Sequence, residues 1–206
     1  MKEKGIFIVI EGIDGAGGET QSGILRERLE KEGKRTVLVR YPDKEGEIGR
    51  VIYRHLEEGE IFPKEALCLL YIADFLKDKE RILNALKQGR IVIADRYFTS
   101  TLVYQSVQGI RRENLLAIAE MFALPKPNLA ILLDISPETS AERKRKEKGK
   151  LDAFEENLDF LGKIRSEYLK VARNNVFCEW RVVNAERSIE EVAEEIWKIV
   201  SEKINL

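Results

Sequence analysis

The chain has 206 residues, 44% apolar and 34% charged, and its charges cancel to a formal net charge of -1. That length suits one large domain, or one domain with a small insert. A cancelling surface excludes a nucleic-acid face built on bulk positive charge. Cys68 and Cys178, far apart and without a CxxC pattern, read as two reduced, mostly buried thiols of a cytosolic protein. The opening MKEKGIFIVI has too short an apolar run for a signal peptide, and no stretch nears the roughly 20 apolar residues that cross a bilayer. Glutamate and lysine supply most of the charge and there is one histidine, a bias that suits a thermophile.

In chain order, residues 6–10 form a short β-branched run that reads as a fully buried strand ending at Glu11-Gly12. A glycine-rich loop follows. Residues 20–32 then show helical spacing through Ile24, Leu25 and Leu29, with Gly33 as the stop. Residues 36–39 read as a second strand and 47–56 as a helix. Pro63 opens a long helix through Leu67, Leu70, Tyr71 and Leu83 to Gly89. Residues 91–94 are a third buried strand, ending at Asp95-Arg96-Tyr97. A helix over 115–122 follows, then a fourth strand over 129–133 ending at Asp134. Another helix runs from Pro137 into the basic run 143–150, and 155–172 is helical again. The segment 176–183 contains a fifth strand, and Ile189, Val192, Ile196 and Val200 mark a closing helix. Strands alternating with helices predict an α/β fold: a five-stranded parallel sheet with helices on both faces. Right-handed crossovers then bring the loops after the strands to one edge.

The segment Gly12-Ile13-Asp14-Gly15-Ala16-Gly17-Gly18-Glu19-Thr20 follows a strand and opens a helix, the context of a phosphate-binding loop. Backbone N–H groups turned inward, aided by the helix N-terminus, cradle phosphate oxygens. In the full signature G-x-x-x-x-G-K-[ST], the lysine reaches the β- and γ-phosphates and the hydroxyl ligates Mg²⁺. Here Gly18 and Glu19 stand in those two places, and Thr20 comes one residue late. The cradle is kept while the cation and the metal hydroxyl are lost.

The stretch 11–17 with Thr20-Gln21 resembles the thymidylate kinase phosphate loop, EG(I/L)(D/E)G(S/A)GK(S/T)TQ. Asp95-Arg96-Tyr97-Phe98-Thr99-Ser100 with Val103-Tyr104-Gln105 is similar to that family's DRYxxS...AYQ. Lys150-Leu151-Asp152-Ala153-Phe154-Glu155 resembles its DRFE lid, 165–172 the helix after it, and Arg40-Tyr41-Pro42-Asp43-Lys44 with Glu47-Ile48-Gly49 its RFPER...EIG segment. The resemblance runs through the whole chain in the family's order.

It implies a P-loop nucleoside-monophosphate kinase fold: one domain over 1–206, with a lid at about 143–154. The implied reaction transfers the γ-phosphoryl of Mg-ATP to dTMP to give dTDP, in a cytoplasmic homodimer with no nucleic-acid or membrane partner. By matched position, residues 12–20 bind ATP. Asp95, or Glu19 in place of the lost hydroxyl, holds Mg²⁺. Arg96 clamps the acceptor phosphate through its planar fork, and Lys44 stands where the family has a second arginine. Asp14 meets the 3′-hydroxyl, and Tyr104 fills the space of a ribose 2′-hydroxyl. Ser100 and Gln105 meet the thymine edge and Tyr71 stacks on the base. Phe75, where many members carry an arginine donor, lies at i+4 from Tyr71 and shares its face; Lys77 and Lys79 are the alternative donors. Of the basic run, either Arg143 or Arg145 supplies lid charge to the transition state.

Two other readings stand beside this one. One is a nucleotide-binding homologue with little kinase activity, favoured by the missing lysine. The other is a kinase of another pyrimidine nucleoside monophosphate. The lost lysine by itself implies slow transfer, and restoration by Gly18→Lys with Glu19→Thr implies a gain in kcat of at least about tenfold.

Overall fold

The computed structural model describes residues 5–58, 61–148 and 157–206. The lid motif at 150–155 lies outside them. In chain order the elements are β1 (Ile6–Gly12), α1 (Gly18–Lys31), β2 (Thr36–Arg40), α2 (Glu47–Glu58), α3 (Lys64–Lys77), α4 (Lys79–Lys87), β3 (Ile91–Asp95), α5 (Phe98–Val107), α6 (Arg112–Met121), β4 (Leu129–Asp134), α7 (Pro137–Lys148), α8 (Leu158–Arg173), β5 (Trp180–Asn184) and α9 (Ile189–Ile204). The five strands form one parallel sheet in the order β2-β3-β1-β4-β5.

Consecutive residues Phe7, Ile8, Val9 and Ile10 of β1 are all fully buried, as are Val92, Ile93 and Ala94 of β3. Neighbouring side chains on a strand point to opposite faces, so both faces are covered and each strand reads as an unbroken apolar run. Helix α1 packs on β1, β2 and β3 and against α9, whereas α5 packs on β1 and against α3, α6 and α8. This parallel order puts Gly12, Arg40, Asp95, Asp134 and Asn184, the strand C-termini, along one edge. That edge is where open α/β sheets bind ligands.

Three expectations change. The long helix over 63–89 is two helices meeting at Asp78, and Pro63 is the N-cap residue of the first rather than its first turn. At the break the Asp78 carboxylate accepts from Tyr41 Oη at 3.1 Å and Lys77 Nζ at 2.7 Å, and its side chain caps neither helix. Helix α1 starts at Gly18, so Gly18 and Glu19 are helical residues. The fifth strand, Trp180–Asn184, falls where the segment 176–183 predicts it, one residue longer at its end. Helix α5 had no counterpart in the sequence reading. Its Phe98, Thr99, Thr101, Leu102, Val103 and Gln105 are all buried, so no polar stripe announces its period.

Cys68 is buried and Cys178 half-buried, and both are free. Burial pushes their thiols up to about 11 and about 12, respectively. Among the described residues no helix is long and apolar enough to cross a membrane.

Candidate active site

The phosphate loop joins β1 to α1. A Cβ on Gly12 would lie 2.7 Å from Ala16 Cβ and 2.9 Å from the Leu133 carbonyl, so the loop can fold this tightly only on glycine. Gly17 caps α1 at φ 95°, a left-handed conformation, and no side chain caps the helix. The first-turn N–H groups of α1 are therefore left to an anion. Helix α7 braces the loop from outside: Ser140 Oγ donates to the Asp14 carbonyl at 2.6 Å, and a Cβ on Gly15 would sit 3.0 Å from the Ser140 carbonyl. Arg143, also on α7, donates to the carbonyls of Gly15 (3.3 Å) and Ala185 (2.8 Å). Arg145 on the same helix is exposed. The structure thus brings Arg143 to the loop and leaves Arg145 in solvent, while Lys146 pairs with Glu142 at 2.6 Å one turn away.

Arg96 follows β3 with φ 63°, a left-handed backbone on a bulky residue. Such strain persists only where the surroundings impose it. Here its Nη1 donates to the Gly12 carbonyl at 2.8 Å and to Ser100 Oγ at 3.3 Å, and Nη2 meets Asp14 Oδ1 at 2.6 Å. The Tyr104 ring lies 5.9 Å from the guanidinium carbon. Tyr71, half-buried on α3, lies within the fields of both Arg96 and Asp14, and burial pushes its phenol up. Arg96, Asp14, Tyr71 and Tyr104 therefore form one group beside the loop.

Beneath them sits Glu11, 1% exposed. One of its oxygens accepts from Thr99 Oγ1 at 2.5 Å and the Tyr97 N–H at 3.2 Å. The other accepts from Ser100 Oγ at 2.5 Å and Tyr168 Oη at 2.7 Å. Burial raises its pKa, and the Arg96 charge and three hydroxyl bonds oppose that rise. Glu11 thus pins the start of α5 and the turn carrying Arg96. The sequence reading quoted it in a motif without giving it work, although a carboxylate ending a buried strand was a signal.

These contacts bear on the base-recognition expectations. Phe75 is 1% exposed and packs edge-on against Tyr41 and near Tyr97, with ring centroids 5.0 and 5.1 Å away. The shared face with Tyr71 fails because Phe75 turns into this aromatic cluster. Ser100 is already engaged by Glu11 and Arg96, and is not a free donor for a base edge. Nor do the alternative lysines face the site: Lys77 is held by Asp43, Asp74 and Asp78 at 3.2, 3.1 and 2.7 Å, and Lys79 donates to the Phe122 carbonyl at 2.7 Å. Gln105 is 1% exposed, and among the described residues its Oε1 has no partner. Lys44 is exposed, with its ammonium 4.8 Å from the centre of the Tyr53 ring. Thr20 is exposed on α1.

At the C-terminus of β3, burial raises the Asp95 carboxyl to about 6. Arg96 and Arg40 pull it down, and Glu11 and Glu19 push it up. Among the described residues no cluster of three or more His, Cys, Asp or Glu makes a metal cage. A single carboxylate completed by phosphates and water is nonetheless a donor set that magnesium takes readily, and Asp95 fits it. Glu19, the other candidate, has its carboxylate paired with Arg40 Nη1 at 2.7 Å.

Comparison with known proteins adds the following similarities. The family model described as thymidylate kinase matches residues 10–196. A probable thymidylate kinase of Pyrococcus abyssi is 40% identical, over 98% of each chain. One of Archaeoglobus fulgidus is 38% identical over 98% of this chain and 97% of its own. The thymidylate kinase of Bradyrhizobium sp. (strain ORS 278) is 35% identical, over 98% and 92%.

Proposed function

The chain belongs to the thymidylate kinase family, and from that we propose that it transfers the γ-phosphoryl group of ATP to the 5′-phosphate of dTMP, giving ADP and dTDP. The observation that carries the reading is Arg96, forced into a left-handed backbone and aimed across the phosphate loop between the Gly12 carbonyl and Asp14. A preorganised guanidinium beside an anion cradle is what phosphoryl transfer needs. There is little covalent work for the protein, and catalysis is positioning plus stabilisation of charge on the transferred group.

In this reading an oxygen of the dTMP phosphate attacks the γ-phosphorus in line while the bond to the β-phosphate oxygen breaks and ADP leaves. Residues 12–19 hold the donor phosphates through backbone N–H groups. Arg96 orients the acceptor phosphate, Asp14 faces the sugar, Tyr71 lies along the base, and Tyr104 fills the space beside the deoxyribose. Arg143 ties the loop to α7 and adds positive charge. Asp95 holds Mg²⁺, which neutralises phosphate charge when bound. The same reading has the chain working as one kinase domain in a cytoplasmic homodimer.

A coupled ADP-release assay with ATP, Mg²⁺ and a panel of nucleoside monophosphates tests it. The expected result is dTMP as the preferred acceptor, with ribonucleotides rejected. Turnover of another monophosphate in preference to dTMP, or of none, overturns it.

A further inference from the structure

The two departures in the phosphate loop, glycine for lysine and glutamate for Ser/Thr, are explained together by a residue on a different strand. Arg40 is the last residue of β2, and the parallel register sets it beside Asp95 of β3. Its Nη1 meets Glu19 Oε1 at 2.7 Å in the first turn of α1. A Cβ on Gly18 would lie 2.6 Å from Asp95 Oδ1, so the Asp95 carboxylate stands where a lysine stem would begin. The first turn of α1 therefore has a cation after all, brought in from β2.

We propose that Arg40 is the cation of this phosphate loop, contacting the β- and γ-phosphates of ATP, and that Glu19 positions it; this rests on the nucleotide-phosphate reading above. Three physical points support the assignment. An exposed ion pair contributes little to stability at 25 °C, and Arg40 and Glu19 are 46% and 74% exposed, so the pair is open to a ligand. Glu19 engages one end of the guanidinium, whose other N–H groups match phosphate oxygens. A pair this exposed opens easily toward a triphosphate, a more densely charged anion than one carboxylate.

The assignment makes the lysine loss compensated. Gly18→Lys with Glu19→Thr is then expected to raise kcat by less than the tenfold gain implied by an uncompensated loss.

The decisive measurement is nucleotide affinity by titration calorimetry, with ATP and AMP as probes, because AMP lacks the β- and γ-phosphates. Arg40→Ala is expected to weaken ATP binding by roughly tenfold, the effect of one lost charge-assisted contact, and AMP binding by less than about twofold. Arg40→Lys recovers part of the loss, and Glu19→Gln gives an intermediate loss. In the Gly18→Lys, Glu19→Thr background the same Arg40→Ala change costs less than about threefold, because the two cations share one task. Unmoved ATP affinity, equal losses for ATP and AMP, or equal losses in the two backgrounds overturns the proposal. Arg40→Gln, which keeps the side-chain bulk, replaces Arg40→Ala if the alanine variant melts early. A parent that binds ATP in this pattern but phosphorylates no dTMP sinks the kinase reading and leaves Arg40 in place. An active parent indifferent to Arg40→Ala does the reverse.

Discussion

Asp95 is held against its own preference. An ordinary aspartate titrates near 3.8, and burial at the end of β3 raises this one to about 6. Between about pH 4 and 6 the native state therefore binds more protons than the unfolded chain. Stability falls as pH rises through that window, and the penalty is complete above it. Asp95→Asn is accordingly expected to stabilise the protein at pH 7 by about 1–2 kcal/mol, less than the full shift implies because part of the residue stays in water, with the gain gone at pH 4. The same change removes the proposed metal ligand and is expected to lower kcat/KM for Mg-ATP by at least about 100-fold. In the parent, kcat/KM for ATP falls about tenfold from pH 7 to 5 as the carboxyl protonates. Thermal melts of both proteins at pH 4 and 7, with initial rates, check all three; an asparagine variant that melts lower at pH 7 contradicts the penalty.

Among the elements, the proposed function puts the acceptor beside the turn after β2, on which α2 seats closely. A Cβ on Gly49 would lie 1.9 Å from the Asp43 carbonyl oxygen and 2.5 Å from its carbon. These are backbone atoms, and they are not free to yield. The Asp43 N–H donates to Asp74 Oδ2 at 3.0 Å, and Lys77 bonds both carboxylates, so the turn is fastened to α3. Gly49→Ala must displace this turn, and Lys44 with it. The expected result is a loss of about 1–3 kcal/mol, the usual range for overpacking, with KM for dTMP up at least fivefold and KM for ATP within twofold. Gly46→Ala is the internal control, because its Cβ would meet mainly the ends of the Asp43 and Lys77 side chains. Equal effects of the two alanines on dTMP would mean that α2 does not set the acceptor side.

Across the whole molecule, charge is spent in pairs that join elements. Arg28 of α1 meets Glu194 of α9 at 2.5 Å and lies over the Trp197 ring at 4.4 Å. Arg165 of α8 takes Asp134 of β4 through two bonds, at 2.7 and 2.9 Å. Arg112 pairs with Glu167, and Lys203 with Glu179. Such pairs add little at 25 °C and gain on heating, as the penalty for dehydrating ions falls. The expected outcome is a calorimetric Tm above about 75 °C, beyond the mesophile range of about 45–65 °C. A Tm inside that range would remove the thermophile reading.

The sequence by itself determined the sheet, because strands buried on both faces must be continuously apolar and the runs at 6–10, 91–94 and 129–133 are. It determined the phosphate loop, whose glycines and position between strand and helix follow from local backbone geometry. It also placed Asp95 and Arg96 at the sheet edge, since parallel strands with right-handed crossovers bring their C-termini together. What it left open depends on direction in space. Spacing i, i+4 put Phe75 beside Tyr71, but a helix buried on several sides has no single functional face, and only packing against Tyr41 and Tyr97 sends Phe75 inward. Helix α5 was missed because most of it is buried, its polar Thr99, Thr101 and Gln105 included, so no exposed polar stripe marks its period. Glu11 became a hub and Ser100 an internal partner only once α5 and α8 closed over β1. The pairing of Arg40 with Glu19, between residues 21 positions apart, depends on how α1 packs across β1, β2 and β3, a contact between separate elements that no local spacing announces.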